Sequence, residues 1–288
     1  MKTIGFIGVG IMGKPMVRNL MKHGFTVQIY ARHPEKVTDV VSEGAKEFPT
    51  IHDCVQGCDV VITMVGFPPD VEEVYFTAGN ILDSAAKGTY LVDMTTTSPT
   101  LAQKIYAVGK EKGFHVVDAP VTGGDTGAIN GTLSILVGGD KDDFDALVPV
   151  FKAMGTNINY QGPAGNGQHA KMANQIMIAG ALSGVCEALA YAKKEGLDLE
   201  VLVKSVATGA AGSAQLNAFG QKIIDGNYAP GFYMKHFIKD MTIARDEAAL
   251  KGLQLDVLKL VLGNYQELAA QGKGDLGTQS LITYYDHE

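Results

Sequence analysis

The chain has 288 residues, 46% of them hydrophobic and 19% charged, with a formal net charge of −7. That length suits about two domains with a sizeable core, and an acidic balance without a Lys/Arg stripe leaves nucleic acid no electrostatic footprint. The cysteines Cys54, Cys58 and Cys186 form neither a CxxC pair nor an even set, so no disulfide scaffold or metal site is expected and a cytoplasmic location fits.

Taken in chain order, Thr3 to Val9 is predicted as a buried strand, Ile11 to His23 as a helix and Phe25 to Ala31 as a second strand. The first apolar run is broken by Gly5, Gly8 and Gly10 and has no small-residue cleavage site, unlike a secretory leader. A helix is expected over Pro34 to Glu43. Strands follow over Val60 to Val65, Tyr90 to Met94 and His115 to Ala119, with a helix from Pro99 to Lys112, and Leu133 to Val137 closes the series. Short apolar runs alternating with helices predict a parallel sheet covered on both faces.

Near Gly162 the pattern changes. Asn166 to about Lys194 reads as one helix, roughly 40 Å long at 1.5 Å per residue. Only helical segments come after it, over Leu199 to Ala207, Gln215 to Ile224, Lys235 to Lys251 and Asp256 to Gln271. The fold class expected is α/β: a doubly wound domain over 1–162, then an all-helical domain over 163–288 that opens with a long interdomain helix. No window holds 18 uninterrupted apolar residues, so no membrane partner is expected.

Gly8-Val9-Gly10-Ile11-Met12-Gly13 fits GxGxxG, a weak signal alone but a specific one between a strand and a helix. The first glycine permits the turn, the second lets a pyrophosphate approach the backbone, and the third lets helix and strand pack closely. The phosphates would lie on the helix start. Val9, Ile11 and Met12 within the turn, and Met64 and Val65 at the end of the strand from Val60, are assigned with it to the cofactor. An NAD site usually places a carboxylate after the second strand. Here that point reads Tyr30-Ala31-Arg32-His33. A guanidinium suits the 2′-phosphate of NADP, so NADP is expected with NAD possible; the plainer reading makes Arg32 a solvated loop residue stacked on adenine.

Three segments offer chemistry. Asp93-Met94-Thr95-Thr96-Thr97-Ser98-Pro99 follows a strand, where such sheets bind ligands. Asp118-Ala119-Pro120-Val121-Thr122-Gly123-Gly124 exposes amides beside a hydroxyl, a plausible cradle for a carboxylate. Either could also be an ordinary hydroxyl-rich turn. In Gly165-Asn166-Gly167-Gln168-His169-Ala170-Lys171-Met172-Ala173-Asn174-Gln175, residues Lys171, Asn174, Gln175 and Ile178 share one helix face. A surface role for Lys171 is disfavoured by the apolar run that follows, Ile176 to Ala192.

Together these motifs, with Gly231-Phe232 and Lys239-Asp240, resemble the β-hydroxyacid dehydrogenase family over nearly the whole chain. The family includes 3-hydroxyisobutyrate dehydrogenases, tartronate semialdehyde reductases and glyoxylate/succinic semialdehyde reductases. The resemblance implies a nicotinamide-dependent oxidoreductase with a Rossmann first domain, acting on a small hydroxy acid or its aldehyde acid. Lys171 matches the catalytic lysine, and Thr122, Gly123 and Gly124 match the carboxylate-binding loop. Asn174 and Gln175 would orient lysine or substrate, Thr96 and Lys239 match residues near the nicotinamide, and Phe232 and Asp240 match residues lining the closed site. Helical domains of this kind form homodimers or homotetramers. Thr122 stands where serine is common, Gly277-Thr278-Gln279-Ser280 lacks the family's aspartate, and Asn174-Gln175 with Gly212-Ser213 looks like the tartronate branch. A tartronate semialdehyde reductase is therefore expected. The alternatives are a 3-hydroxyisobutyrate dehydrogenase, a glyoxylate/succinic semialdehyde reductase, or a non-catalytic NADP-binding regulator, against which the intact Lys171 face argues.

Overall fold

The computed structural model describes residues 1–285; the last positions of the expected second domain, 286–288, lie outside the described residues. The chain divides into two compact units, Met1–Lys171 and a second from Met172 onward.

The strands of the first unit are β1 (Thr3–Ile7), β2 (Thr26–Tyr30), β3 (Lys46–Glu47), β4 (Val60–Thr63), β5 (Tyr90–Asp93), β6 (His115–Asp118), β7 (Val121–Thr122), β8 (Leu133–Gly139) and β9 (Gly155–Gly162). They form one sheet in the order β3-β2-β1-β4-β5-β6-β8-β7, with β9 also paired to β8. Its helices are α1 (Gly13–Lys22), α2 (Thr38–Ser42), α3 (Ile51–Val55), α4 (Pro68–Phe76), α5 (Ile81–Ser84), α6 (Pro99–Lys112), α7 (Gly124–Asn130) and α8 (Lys141–Phe151).

Central strands of a sheet covered on both faces must be apolar throughout, and strand alternation divides their side chains between two cores. Ile4, Phe6, Ile62, Val92 and Val117 pack with Met16 and Leu20 of α1 and Leu147 of α8. Their sequence neighbours Ile7, Val61, Leu91 and Val116 pack on the opposite side with Val55 of α3, Val71 of α4 and Ile105 of α6. Each such side chain gains about 1.5–3 kcal/mol by leaving water.

α6 keeps the bounds its sequence predicts. Ser98 accepts the Leu101 amide at 3.1 Å, Pro99 occupies the first helical position, and Gly113 ends the helix at φ 89°. The helix expected over Pro34 to Glu43 is instead a 3-10 turn, Pro34–Lys36, followed by α2. Buried Val37 leaves helical geometry between them, at φ −120° and ψ 9°. The sheet is mostly parallel, but β8 runs antiparallel to both β6 and β7. β3, β7 and β9, with helices α3, α4, α5, α7 and α8, lie beyond the expected series. Thr156, Asn157 and Asn159 of β9 are exposed, so that strand carries no apolar run.

The long helix α9 (Asn166–Lys194) begins in the first unit and continues into the second. The second unit adds α10 (Leu199–Val206), α11 (Ala214–Ile224), α12 (Met234–Leu250) and α13 (Asp256–Leu268). The expected extension to Gln271 widens into a π turn at Ala269 and stops where Gly272 turns to φ 83°. Leu182, Cys186 and Leu189 of α9 form its core with Phe237, Met241, Leu258, Leu262 and Tyr265. α9 is, among the described residues, the one helix long and apolar enough to cross a membrane, and 44% of its apolar window is buried inside the protein.

Candidate active site

The parallel strands end level with one another. Ile7, Thr63, Asp93 and Asp118 are register partners across β1, β4, β5 and β6, so the loops that follow share one edge of the sheet. The chain reverses its direction of winding between β1 and β4, which is where such sheets open a crevice for ligands.

The glycine turn lies at that crevice. Gly8 adopts φ 98°, and a Cβ there would collide with the Met64 carbonyl. A Cβ at Gly13 would collide with the Gly8 carbonyl, so α1 can close on β1 only without a side chain. Gly10 differs: a Cβ there would meet no atom within 4 Å. That is the space a pyrophosphate requires above the amides of the α1 start, and the residues present fit the group. Val9 points into the core, Ile11 is exposed and Met12 packs against the core edge. The half-buried Met64 and Val65 follow β4, with the Val65 amide donating to Thr95 Oγ1 at 3.0 Å. Arg32 is 61% exposed at its side chain and pairs with Asp70 at 3.0 Å.

A buried polar network underlies the loop after β5. Asp93 Oδ1 accepts the Thr63 hydroxyl at 2.8 Å and the Thr95 amide at 3.1 Å. Burial pushes the Asp93 carboxyl up to about 6 despite these bonds, which favour its charged form. Thr96 is half-buried between buried Thr95 and Thr97. Asp118 is likewise raised by burial, against amides that stabilise its charge. Its two oxygens accept the Gly165 amide at 2.7 Å and the Gln168 amide at 2.8 Å, at the start of α9. At Gly167 the backbone of β8 approaches closely: a Cβ there would collide with the Leu136 carbonyl. Lys171 follows one turn later with 7% exposure. In the loop after β6, Thr122 is half-buried on β7, and Gly123 and Gly124 adopt successive positive φ values of 129° and 64°.

The second unit holds its own polar chain. The Asn174 amide donates to Gln175 Oε1 at 2.8 Å, and Gln175 Nε2 donates to Asp240 Oδ2 at 2.7 Å. Lys239 pairs with Asp240 Oδ1 at 3.1 Å. Four residues named from separate motifs thus lie together, and Gln175 is 1% exposed. Phe232 is half-buried with its ring edge-on to Phe237 at 5.9 Å. The unusual segment Gly277–Ser280 is a closed turn in which Gln279 donates to the Asn227 and Ala229 carbonyls at 3.0 and 3.1 Å. Sequence reading gave no role to Gln168 or Asp118. The available signal was a glutamine three residues before a lysine, on the same helix face.

A glycine turn at the switch point of a mostly parallel sheet, with open space above its second glycine, defines a dinucleotide-binding protein. Residues 3–162 match the family described as the NAD binding domain of 6-phosphogluconate dehydrogenase, and residues 165–285 match that described as NAD-binding of NADP-dependent 3-hydroxyisobutyrate dehydrogenase. An uncharacterized oxidoreductase of Bacillus subtilis is 52% identical over 280 residues, 97% of either chain. The 2-hydroxy-3-oxopropionate reductase of Escherichia coli is 35% identical over 279 residues, 97% of this chain and 95% of that one. A solved structure of 3-hydroxyisobutyrate dehydrogenase from Mycobacterium tuberculosis with L-serine matches at TM-score 0.91 and 29% identity, covering 100% of each chain. The chain belongs to the 3-hydroxyisobutyrate dehydrogenase family and is an NAD(P)-dependent hydroxyacid dehydrogenase.

Proposed function

We propose that this dehydrogenase reduces a short aldehyde acid of the tartronate semialdehyde (2-hydroxy-3-oxopropionate) type, with NADPH as the preferred cofactor. The carrying observation is Lys171, a lysine only 7% exposed, on the same face of α9 as Asn174 and Gln175. A lysine held this way serves chemistry better than solvation. The Asn174-Gln175 order and the Escherichia coli relative support the substrate class.

When bound, the dihydronicotinamide supplies a hydride to the carbonyl carbon. Lys171, as ammonium, stabilises the charge growing on the carbonyl oxygen and then gives that oxygen a proton. A donor aimed at developing oxyanion charge is typically worth about 3–4 kcal/mol. Asn174 and Gln175 orient the lysine or the substrate, and the hydroxyl of Thr122 with the amides of Gly123 and Gly124 takes the substrate carboxylate. Thr96 and Lys239 serve the nicotinamide end, and Phe232 and Asp240 serve the substrate end. The α1 start holds the pyrophosphate and Arg32 the 2′-phosphate. The first unit is thus the dinucleotide domain, and the helical unit the substrate and oligomerisation domain. Three buried, unpaired cysteines suit a reducing cytoplasm.

A second reading, oxidation of 3-hydroxyisobutyrate or a similar hydroxy acid, is favoured by the likeness to the Mycobacterium tuberculosis enzyme with L-serine. A rate panel with tartronate, succinic and methylmalonate semialdehydes and glyoxylate separates the two. Tartronate semialdehyde should give the highest kcat/KM; a tenfold preference for methylmalonate semialdehyde would establish the second reading instead. Lys171→Ala should cut kcat more than about tenfold, a loss of ~1.4 kcal/mol, with cofactor affinity unchanged. Turnover retained above a tenth would remove Lys171 from the mechanism.

A further inference from the structure

We propose that Gln168 and Asp118 are positioning residues that set the pose of Lys171 by bolting the start of α9 to the loops after β5 and β6. The inference rests on the reading of Lys171 as proton donor.

Most helices cap their first turn locally, with a hydroxyl or carboxylate at the position just before the helix. α9 is capped from a distance instead. Asp118, at the end of β6, takes both the Gly165 amide and the Gln168 amide, at 2.7 and 2.8 Å. A local cap would move with its own loop, whereas a carboxylate rooted in the central sheet fixes the helix in the frame of the strands.

Gln168 supplies the second anchor. Its side chain is fully buried. Its Oε1 accepts the Thr97 amide at 3.0 Å, and its Nε2 donates to the Thr95 carbonyl at 2.7 Å. One amide group therefore clasps the backbone on both sides of Thr96. Burying an amide is costly unless its donor and acceptor are both satisfied, and an aliphatic residue would fill the same space at lower cost. What glutamine adds is direction: the clasp holds only at one distance and one rotation of the helix. Close packing enforces the same pose, because a Cβ at Gly167 would lie 2.7 Å from Asp118 oxygens and one at Gly138 would lie 2.7 Å from the Gly167 amide. The helix start can neither slide nor turn.

Lys171 lies three residues beyond Gln168, on the same helix face. Any rotation of the first turn therefore displaces its Nζ relative to the Thr95–Thr97 loop. Misplacing a reacting group by about 1 Å can cost on the order of a hundredfold in rate.

The test uses Gln168→Leu, Gln168→Glu and Lys171→Ala in the full chain. Each is measured for melting temperature, cofactor Kd by fluorescence titration, KM and kcat. Gln168→Leu should leave cofactor Kd and substrate KM within about threefold while kcat falls roughly 30- to 100-fold. Gln168→Glu carries a sharper signature. Its carboxylate can accept from Thr97 but can donate to the Thr95 carbonyl only when protonated, and burial raises carboxyl proton affinity. Its kcat relative to wild type should therefore be low at pH 8 and climb as the pH falls. Asp93 and Asp118 are present in both proteins, so the ratio at each pH reports what the new carboxyl adds. A lower melting temperature with wild-type kcat in the folded variants, or a pH-independent Gln168→Glu ratio, would overturn the proposal. If Gln168→Leu does not fold, the Gln168→Glu ratio decides alone. A Lys171→Ala protein with wild-type turnover would sink the proton-donor reading itself, whereas an inactive Lys171→Ala beside unimpaired Gln168 variants would sink the positioning role alone.

Discussion

At the end of β2, Arg32 stands where a dinucleotide fold discriminates between its two cofactors. Its guanidinium is tied to Asp70 at 3.0 Å, and the other Asp70 oxygen takes the Phe67 amide at 2.9 Å at the start of α4. An ion pair this exposed adds little stability. Its consequence is orientation: a planar fork held through one nitrogen keeps further N–H groups for a second anion. Arg32→Asp should lower kcat/KM with NADPH by about 10- to 100-fold, as expected for losing a charge-assisted contact of roughly 1.5–3 kcal/mol. Use of NADH should be spared and the melting temperature nearly unchanged. Wild-type protein that uses NADPH and NADH equally would refute this role without a variant. The missing carboxylate after β2 was legible in the sequence. The partner was not, because Asp70 lies 38 positions away and only the approach of α4 to β2 brings it there.

Among the elements, β5 and β6 each end on a buried carboxylate, Asp93 and Asp118, beside buried Thr63 at the end of β4. Asp93 has its proton affinity raised from 3.8 to about 6 by burial, opposed by Thr63 and Thr95 and reinforced by the charge on Asp118. The folded state thus holds this proton more tightly than the unfolded chain does. Stability from that source is fully present below about pH 4 and is lost as the pH rises through about 6. Two pKa units amount to about 3 kcal/mol. Asp93→Asn cannot ionise, so its urea midpoint should fall less than that of wild type between pH 4 and pH 7. Parallel midpoints across that range would show that Asp93 keeps an ordinary pKa in the fold. The strand ends were readable from apolar runs that stop at Asp93 and Asp118. That both acids would be buried rather than solvated was not, since burial depends on α6 and the start of α9 covering the strand ends.

On the scale of the whole molecule, the helical unit exposes large apolar side chains on two of its helices. Met177 and Tyr191 on α9 are 68% and 67% exposed, and Val257 and Leu260 on α13 are 65% and 64% exposed. Met177, Gly184 and Tyr191 repeat every seven residues along one stripe of α9 and are all exposed. Apolar patches of this kind mark association surfaces, which supports the proposed homodimer or homotetramer. Leu260→Asp should reduce the sedimenting mass toward that of one 30.5 kDa chain, because an unpaired charge in an apolar interface costs several kcal/mol. A wild-type protein that sediments as a monomer would exclude the assembly.

By itself the sequence determined the class of fold, the main parallel strands with the long helices, the glycine turn and the family. Those features are written in local terms: apolar period, capping residues and contiguous motifs. The bounds of α6 were exact for that reason, with Ser98 and Gly113 closing its two ends. Tertiary structure alone decided the antiparallel placement of β8, the break at Val37, the pairing of Arg32 with Asp70 and the clasp of Gln168 on Thr95 and Thr97. Each depends on groups distant in sequence that meet only after the sheet has formed. A buried polar bond is specified by the position of both partners, and a one-dimensional pattern records only one of them at a time.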